Sequence, residues 1–163
     1  MLYLSIFPEH YKVDVERLMR LWIAEGFVNN ASYRTLEKTA LSYLDGLISR
    51  NMVLPLHVNH HGIPKCCMVH PVIHDFIVHK SREENFIAVV NDQHQHIANK
   101  YHTICRLSLQ SSSNKDRNMP PNNLSHFRSI IVTGPASTAP LLTGLRQHCS
   151  ISFVFGNNCL IVD

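Results

Sequence analysis

The sequence predicts a mixed α/β chain: a winged-helix subdomain of helices and a β-hairpin, followed by an incomplete leucine-rich-repeat segment. Three observations predict it. Residues 13–26 and 34–50 carry apolar side chains at helical spacing. Two short strand-like runs around a polar, glycine-containing turn follow, and then a helix opened by proline. Beyond residue 102, short apolar runs alternate with loop-like stretches, as in a solenoid.

In residues 13–26 (VDVERLMRLWIAEG), Asp14 is placed to cap. Val15, Leu18, Leu21 and Trp22 form the inward stripe, and Gly26 is the stop. Trp22 on this face reads as core. In residues 34–50, Leu36, Ala40, Tyr43, Leu44, Leu47 and Ile48 form a second stripe. Gly46 there costs up to about 1 kcal/mol of helix propensity and leaves room for a close neighbour. The runs MVLPLHV and KCCMV flank Asn59, His60, His61 and Gly62, which is a hairpin pattern; Pro55 then belongs on an exposed edge or at a bulge. In residues 71–80 the spacing predicts a helix with Ile73, Phe76, Ile77 and Lys80 on one face and Val72 beside them. Residues 92–102 read as a linker. The runs TICRLSL, FRSIIV, ISFVF and CLIV are strands or apolar runs of the last segment, with the loop SSSNKDRNMPPNN between the first two.

Composition bounds the rest. The 163 residues suffice for one ordinary domain, or a small domain with a partner segment, and 45% hydrophobic content suffices for a core. Fifteen basic against 12 acidic residues gives +3, scattered along the chain, so charge names no nucleic-acid partner. Five cysteines at irregular spacing argue against a disulfide scaffold and for a reducing compartment. No stretch approaches the roughly 18 apolar residues of a membrane helix. Residues 1–7 lack the basic start of a signal peptide and read as the last turns of a helix.

Several chemical constellations can be drawn. His57, His60, His61, Cys66, Cys67 and His70 are zinc-ligand types, but they do not form two spaced knuckles, and Cys66 and Cys67 fall on opposite faces of a strand. His148, Cys149 and Asp163 are the types of a nucleophilic triad without spacing that fixes a geometry. His70, Pro71, His74 and Asp75 cluster at a helix start, where an anion is favoured. No phosphate loop of the form GxxxxGK[ST] occurs, so the stretch has no triphosphate machinery.

Residues 2–28, LYLSIFPEHYKVDVERLMRLWIAEGFV, resemble a segment of the plant nucleotide-binding, leucine-rich-repeat (NB-ARC-LRR) disease-resistance proteins. Phe7, Pro8, Glu9 and Tyr11 match the family's Phe-Pro-Glu-Asp-Tyr, with His10 in place of the acid. LWIAEGF matches residue for residue. TALSYLDGLISRNMV and CMVHPVIHDFIVHKSREENF continue the resemblance through the Met-His-Asp region. HTICRLSLQ and LSHFRSIIVTG are similar to the family's entry into its repeats; after about residue 145 the likeness fades.

The resemblance implies a winged-helix subdomain of a nucleotide switch over residues 1–91, a linker over 92–102 and an incomplete repeat segment over 103–163. It implies no enzyme. His70 stands at the position of the histidine that contacts the β-phosphate of ADP, a role that needs the nucleotide-binding body. Val69, His70 and Pro71 stand where the family has its regulatory Met-His-Asp. Pro71 departs from the pattern, since proline offers neither a carboxylate nor an N–H. Implied cofactors are ADP and ATP for the complete protein and none for this stretch alone. Implied partners are the nucleotide-binding body, the remaining repeats, and intact relatives or signalling partners, in the cytoplasm or peripherally at the plasma membrane. Two other readings stand beside this one: a truncated or degenerate product, inert or acting as a decoy on intact relatives, and a DNA-binding winged helix using Lys12, Arg17 and Arg20. With so much of a receptor missing, the stretch is expected to expose apolar surface and self-associate.

Overall fold

The computed structural model describes residues 1–29, 35–90, 104–110, 128–134, 150–155 and 158–162. The architecture is mixed α/β. Backbone contacts divide the chain into two compact units, Glu9–Phe76 and Met1–Pro8 with Ile77–Asp163. The expected linker at 92–102 lies outside the described residues.

The first unit is a small helical unit with a three-stranded sheet. Strand β1 (Val13–Asp14) runs straight into α1 (Val15–Ala24). The Asp14 carboxylate accepts the Arg17 N–H at 3.0 Å and so serves as N-cap. Val15, Leu18, Leu21 and Trp22 are buried, as the spacing predicts. Helix α2 (Leu36–Ile48) is capped by Thr35, which accepts from the Lys38 N–H. Here the expected stripe is too wide: only Ala40 and Leu44 are buried, Leu36, Leu47 and Ile48 are half-buried, and Tyr43 is exposed. The close neighbour of Gly46 is Arg50, two residues past the end of the same helix. The Arg50 Nη1 donates to the Gly46 carbonyl at 2.6 Å, and an added Cβ would meet that nitrogen at 3.1 Å.

The hairpin of β2 (Val53–Val58) and β3 (Pro64–Val69) is antiparallel, and β1 pairs with the other side of β3, giving the order β1-β3-β2. Pro55 therefore sits on an edge strand, opposite Cys67. The turn is locked by Asn59, whose Oδ1 accepts from the His61 and Ile63 N–H groups at 2.9 Å each. Gly62 completes it at φ +77°.

Helix α3 (Pro71–Glu83) begins in this unit and ends in the other. Its buried face is His74, Ile77 and Ser81, with Ile73 half-buried; Phe76, expected inward, is 62% exposed. The inward positions 74, 77 and 81 follow the helical repeat, but two of them are polar, so hydrophobicity alone misplaced the face.

Helices α1, α2 and α3 stop the same way. Gly26, Asn51 and Asn85 adopt left-handed φ of 74°, 54° and 50°. The following N–H groups of Phe27, Met52 and Phe86 reach back to the carbonyls of Trp22, Leu47 and Ser81 at 3.0, 3.0 and 2.9 Å. This is the Schellman stop, satisfying carbonyls that a helix end leaves without partners.

The second unit is built on a five-stranded sheet of order β4-β5-β6-β7-β8, comprising β4 (Ala88–Val90), β5 (Arg106–Gln110), β6 (Ser129–Gly134), β7 (Ser150–Phe155) and β8 (Asn158–Val162). Strands β4 to β7 pair in parallel, as successive solenoid repeats would, whereas β8 returns antiparallel and breaks that progression. Leu107, Ile130, Ile131 and Val132 are fully or nearly fully buried. Residues 2–6 form a 3-10 helix, Leu2–Ile6, with Tyr3, Leu4, Ser5 and Ile6 buried.

Candidate functional site

The candidate site is the junction where β3 passes into α3. Val69 ends the strand, 7% exposed, opposite Val53 on β2. The His70 N–H donates to the Met52 carbonyl at 3.1 Å, one last rung of the hairpin. The His70 carbonyl accepts the His74 N–H at 2.8 Å, the first bond of the helix. His70 is thus held by its backbone on both sides. Pro71 occupies the first helical position, where its missing N–H costs nothing and its fixed φ suits the turn.

The His70 Nδ1 is buried and has no hydrogen-bond partner. A buried imidazole nitrogen left so costs free energy, which makes this the polar atom of the junction most in need of a ligand. The expected cluster of His70, Pro71, His74 and Asp75 divides: His74 turns inward at 9% exposure and Asp75 is exposed. What remains at the helix start is one imidazole and the leading amides of α3 after Pro71, a group suited to a single anionic contact.

The other sequence-level candidates are dispersed. His57, His60 and His61 lie exposed on β2 and its turn, Cys66 is half-buried, and Cys67 is buried. Among the described residues no group of three His, Cys, Asp or Glu is arranged to hold a metal ion. Burial, then the neighbouring Cys66 and Asp14, push the Cys67 thiol up to about 12, which keeps it protonated and unreactive. His148, Cys149 and Asp163 lie outside the described residues.

The nucleic-acid surface is corrected by Arg17. Expected on the polar face of α1, it is only 8% exposed, and its Nε and Nη2 are buried without partners. Asp14, three residues earlier, already caps the helix through the Arg17 N–H. Of the other two cations, Arg20 pairs with Glu16 at 3.5 Å and Lys12 is exposed. A three-cation face for phosphates is therefore not present. No helix among the described residues is long and apolar enough to cross a membrane.

Residues 6–77 match the family described as the disease resistance protein winged helix domain. The chain carries the winged-helix domain of the plant disease-resistance proteins. The matched winged-helix domain is a non-catalytic regulatory fold. The chain is 41% identical over 141 residues to the disease resistance protein Pik-2 of Oryza sativa subsp. japonica, covering 86% of this chain and 14% of that protein. It is 34% identical over 133 residues to the disease resistance protein RPP13 of Arabidopsis thaliana, covering 82% and 15%. It is 40% identical over 91 residues to the putative late blight resistance protein homolog R1B-16 of Solanum demissum, covering 55% and 7%. The chain thus spans about one seventh of the length of the first of these relatives. The winged-helix match ends inside α3, and the parallel strands β4 to β7 that follow are consistent with the onset of a repeat region.

Sequence reasoning missed the burial of Arg17 and the placement of residues 1–8. The first has no signal in the sequence. The second has one: in RLSLQ the polar Ser108 and Gln110 alternate with Leu107 and Leu109, so one face of β5 is polar without facing solvent.

Proposed function

We propose that this stretch works inside a receptor of the length of its relatives, as the subdomain that closes on bound ADP and relays nucleotide state toward the repeats. The observation that carries the reading is His70: its Nδ1 is buried without a partner, at the strand-to-helix junction, and the sequence resemblance implies the family's histidine at this position. A nucleoside diphosphate would supply the phosphate oxygen that this imidazole lacks. His70 and the first amides of α3 would hold it, and Pro71 would contribute no polar atom of its own. The nucleotide supplies a charged group whose presence or loss changes which arrangement is favoured, and coupling of this kind requires a second site that feels the change. In this reading that second site is the repeat sheet, the partners are the nucleotide-binding body and the remaining repeats, and the defence signal is pathogen recognition.

The test is the ADP content of the full-length product purified with His70→Ala. The proposal expects a several-fold drop in co-purified ADP relative to wild type, with the protein still folded. An unchanged ADP content overturns it. The burial of Arg17 removes one of the three cations of the DNA-binding alternative and so favours the nucleotide-switch reading over it.

A further inference from the structure

The stretch before Glu9 and the stretch after α3 converge on one strand. Ile6 ends a 3-10 helix, so its carbonyl has no helical partner of its own. Side chains 102 and 104 residues away satisfy it. The Ser108 Oγ donates to that oxygen at 2.6 Å, and the Gln110 Nε2 donates to it at 3.2 Å. The same Gln110 nitrogen donates to the Ser108 Oγ at 3.3 Å, so the two side chains form one clamp. Ser108 is wholly buried, and Leu4, Ile6 and Phe7 are at most 1% exposed. On the flank of the same strand, Ala88–Val90 pairs in parallel, with Val89 beside Ser108. Just ahead of β4, the Phe86 ring lies under the Arg106 guanidinium, 4.4 Å from centroid to carbon.

A sheet of stacked parallel repeats has an open first edge and an uncovered end. Both need a cap if the array is not to fray or pair with other chains. We propose that Met1–Pro8 and Ala88–Val90 together are the N-terminal cap of the repeat sheet, clamped through Ser108 and Gln110, with Glu9–Phe76 inserted in sequence between the two cap pieces. The chain passes from one unit to the other after Pro8 and within α3, and the clamp fixes the stretch that precedes the first of these points. This rests on β4 to β7 being the start of a repeat sheet, and it names the residues through which the proposed relay runs.

Native-state hydrogen exchange of the full chain across a denaturant series tests it, without nucleotide. The Leu4 and Phe7 amides, bonded to the Met1 and Leu4 carbonyls at 3.0 and 3.3 Å, are the reporters. The cap predicts that they open together with the amides of β5 and β6. Opening together with α1 and β3 overturns it. In the variant Ser108→Ala with Gln110→Leu, the two reporter amides should exchange at least tenfold faster while α1 keeps its wild-type rates. Unchanged reporter rates also overturn the cap. If the variant does not fold, the wild-type series still decides. Failure here leaves the ADP measurement untouched, and loss of the ADP result leaves the cap standing.

Discussion

Arg17 and Cys67 set the terms at the scale of single residues. A guanidinium buried with Nε and Nη2 unpartnered is a cost, and nothing in the sequence announces it, because arginine is ordinary on a helix. Replacing it by methionine keeps the packing of the stem and removes the stranded charge. Arg17→Met should therefore raise the unfolding free energy by on the order of 1 kcal/mol, read from urea titration. A loss of that size would mean the guanidinium has a partner. Cys67 gives a pH dependence with a definite sign. Below its ordinary value of 9.0 the thiol is neutral both folded and unfolded. Between 9.0 and about 12 the unfolded chain loses the proton and the folded chain keeps it, so stability falls across that window. Cys67→Ala should flatten this alkaline fall in a pH series of thermal melts. His70 was legible as a candidate through its position in a long motif, but its unpartnered Nδ1 was not, since that depends on what packs around the ring.

Helices, hairpin and caps were the most legible elements, because their determinants are local. Asp14 caps α1, Pro71 opens α3, Gly26 stops α1, and Asn59 with Gly62 turns the hairpin, each through atoms a few residues away. The stops at Asn51 and Asn85 use the same left-handed geometry with a side chain that tolerates it. Asn51→Ala should cost about 1 kcal/mol and Asn51→Gly should be close to neutral, measured as midpoint shifts in denaturant. Equal losses for both would place the role of Asn51 in its side chain instead. What the sequence did not reveal at this scale depends on distant contacts. The face of α3 turned on His74 and Ser81 being inward, and the two-residue β1 exists only because Val13 and Asp14 find Cys67 and Cys66. Strand β4 likewise forms by pairing with β5, more than a dozen residues further along the chain.

At the scale of the whole molecule, the family resemblance carried most of the functional reading, and the fold carried what the resemblance could not. The match over residues 6–77 describes the winged-helix domain, whereas backbone contacts join Met1–Pro8 to the sheet. The chain folds residues far apart in sequence onto β5, and the alternation of polar Ser108 and Gln110 with Leu107 and Leu109 is a hint of that meeting without naming the partner. The central claim concerns the three residues at the β3–α3 junction: Val69 packs, His70 offers a polar atom without a partner, and Pro71 starts the helix without a carboxylate. If this junction governs nucleotide retention, the carboxylate absent at position 71 matters. The direct measurement is the rate of ADP release from the full-length product, wild type against Pro71→Asp. Slower release from the aspartate variant, by several-fold, is the result predicted here; identical rates would contradict a role for this junction in holding the nucleotide.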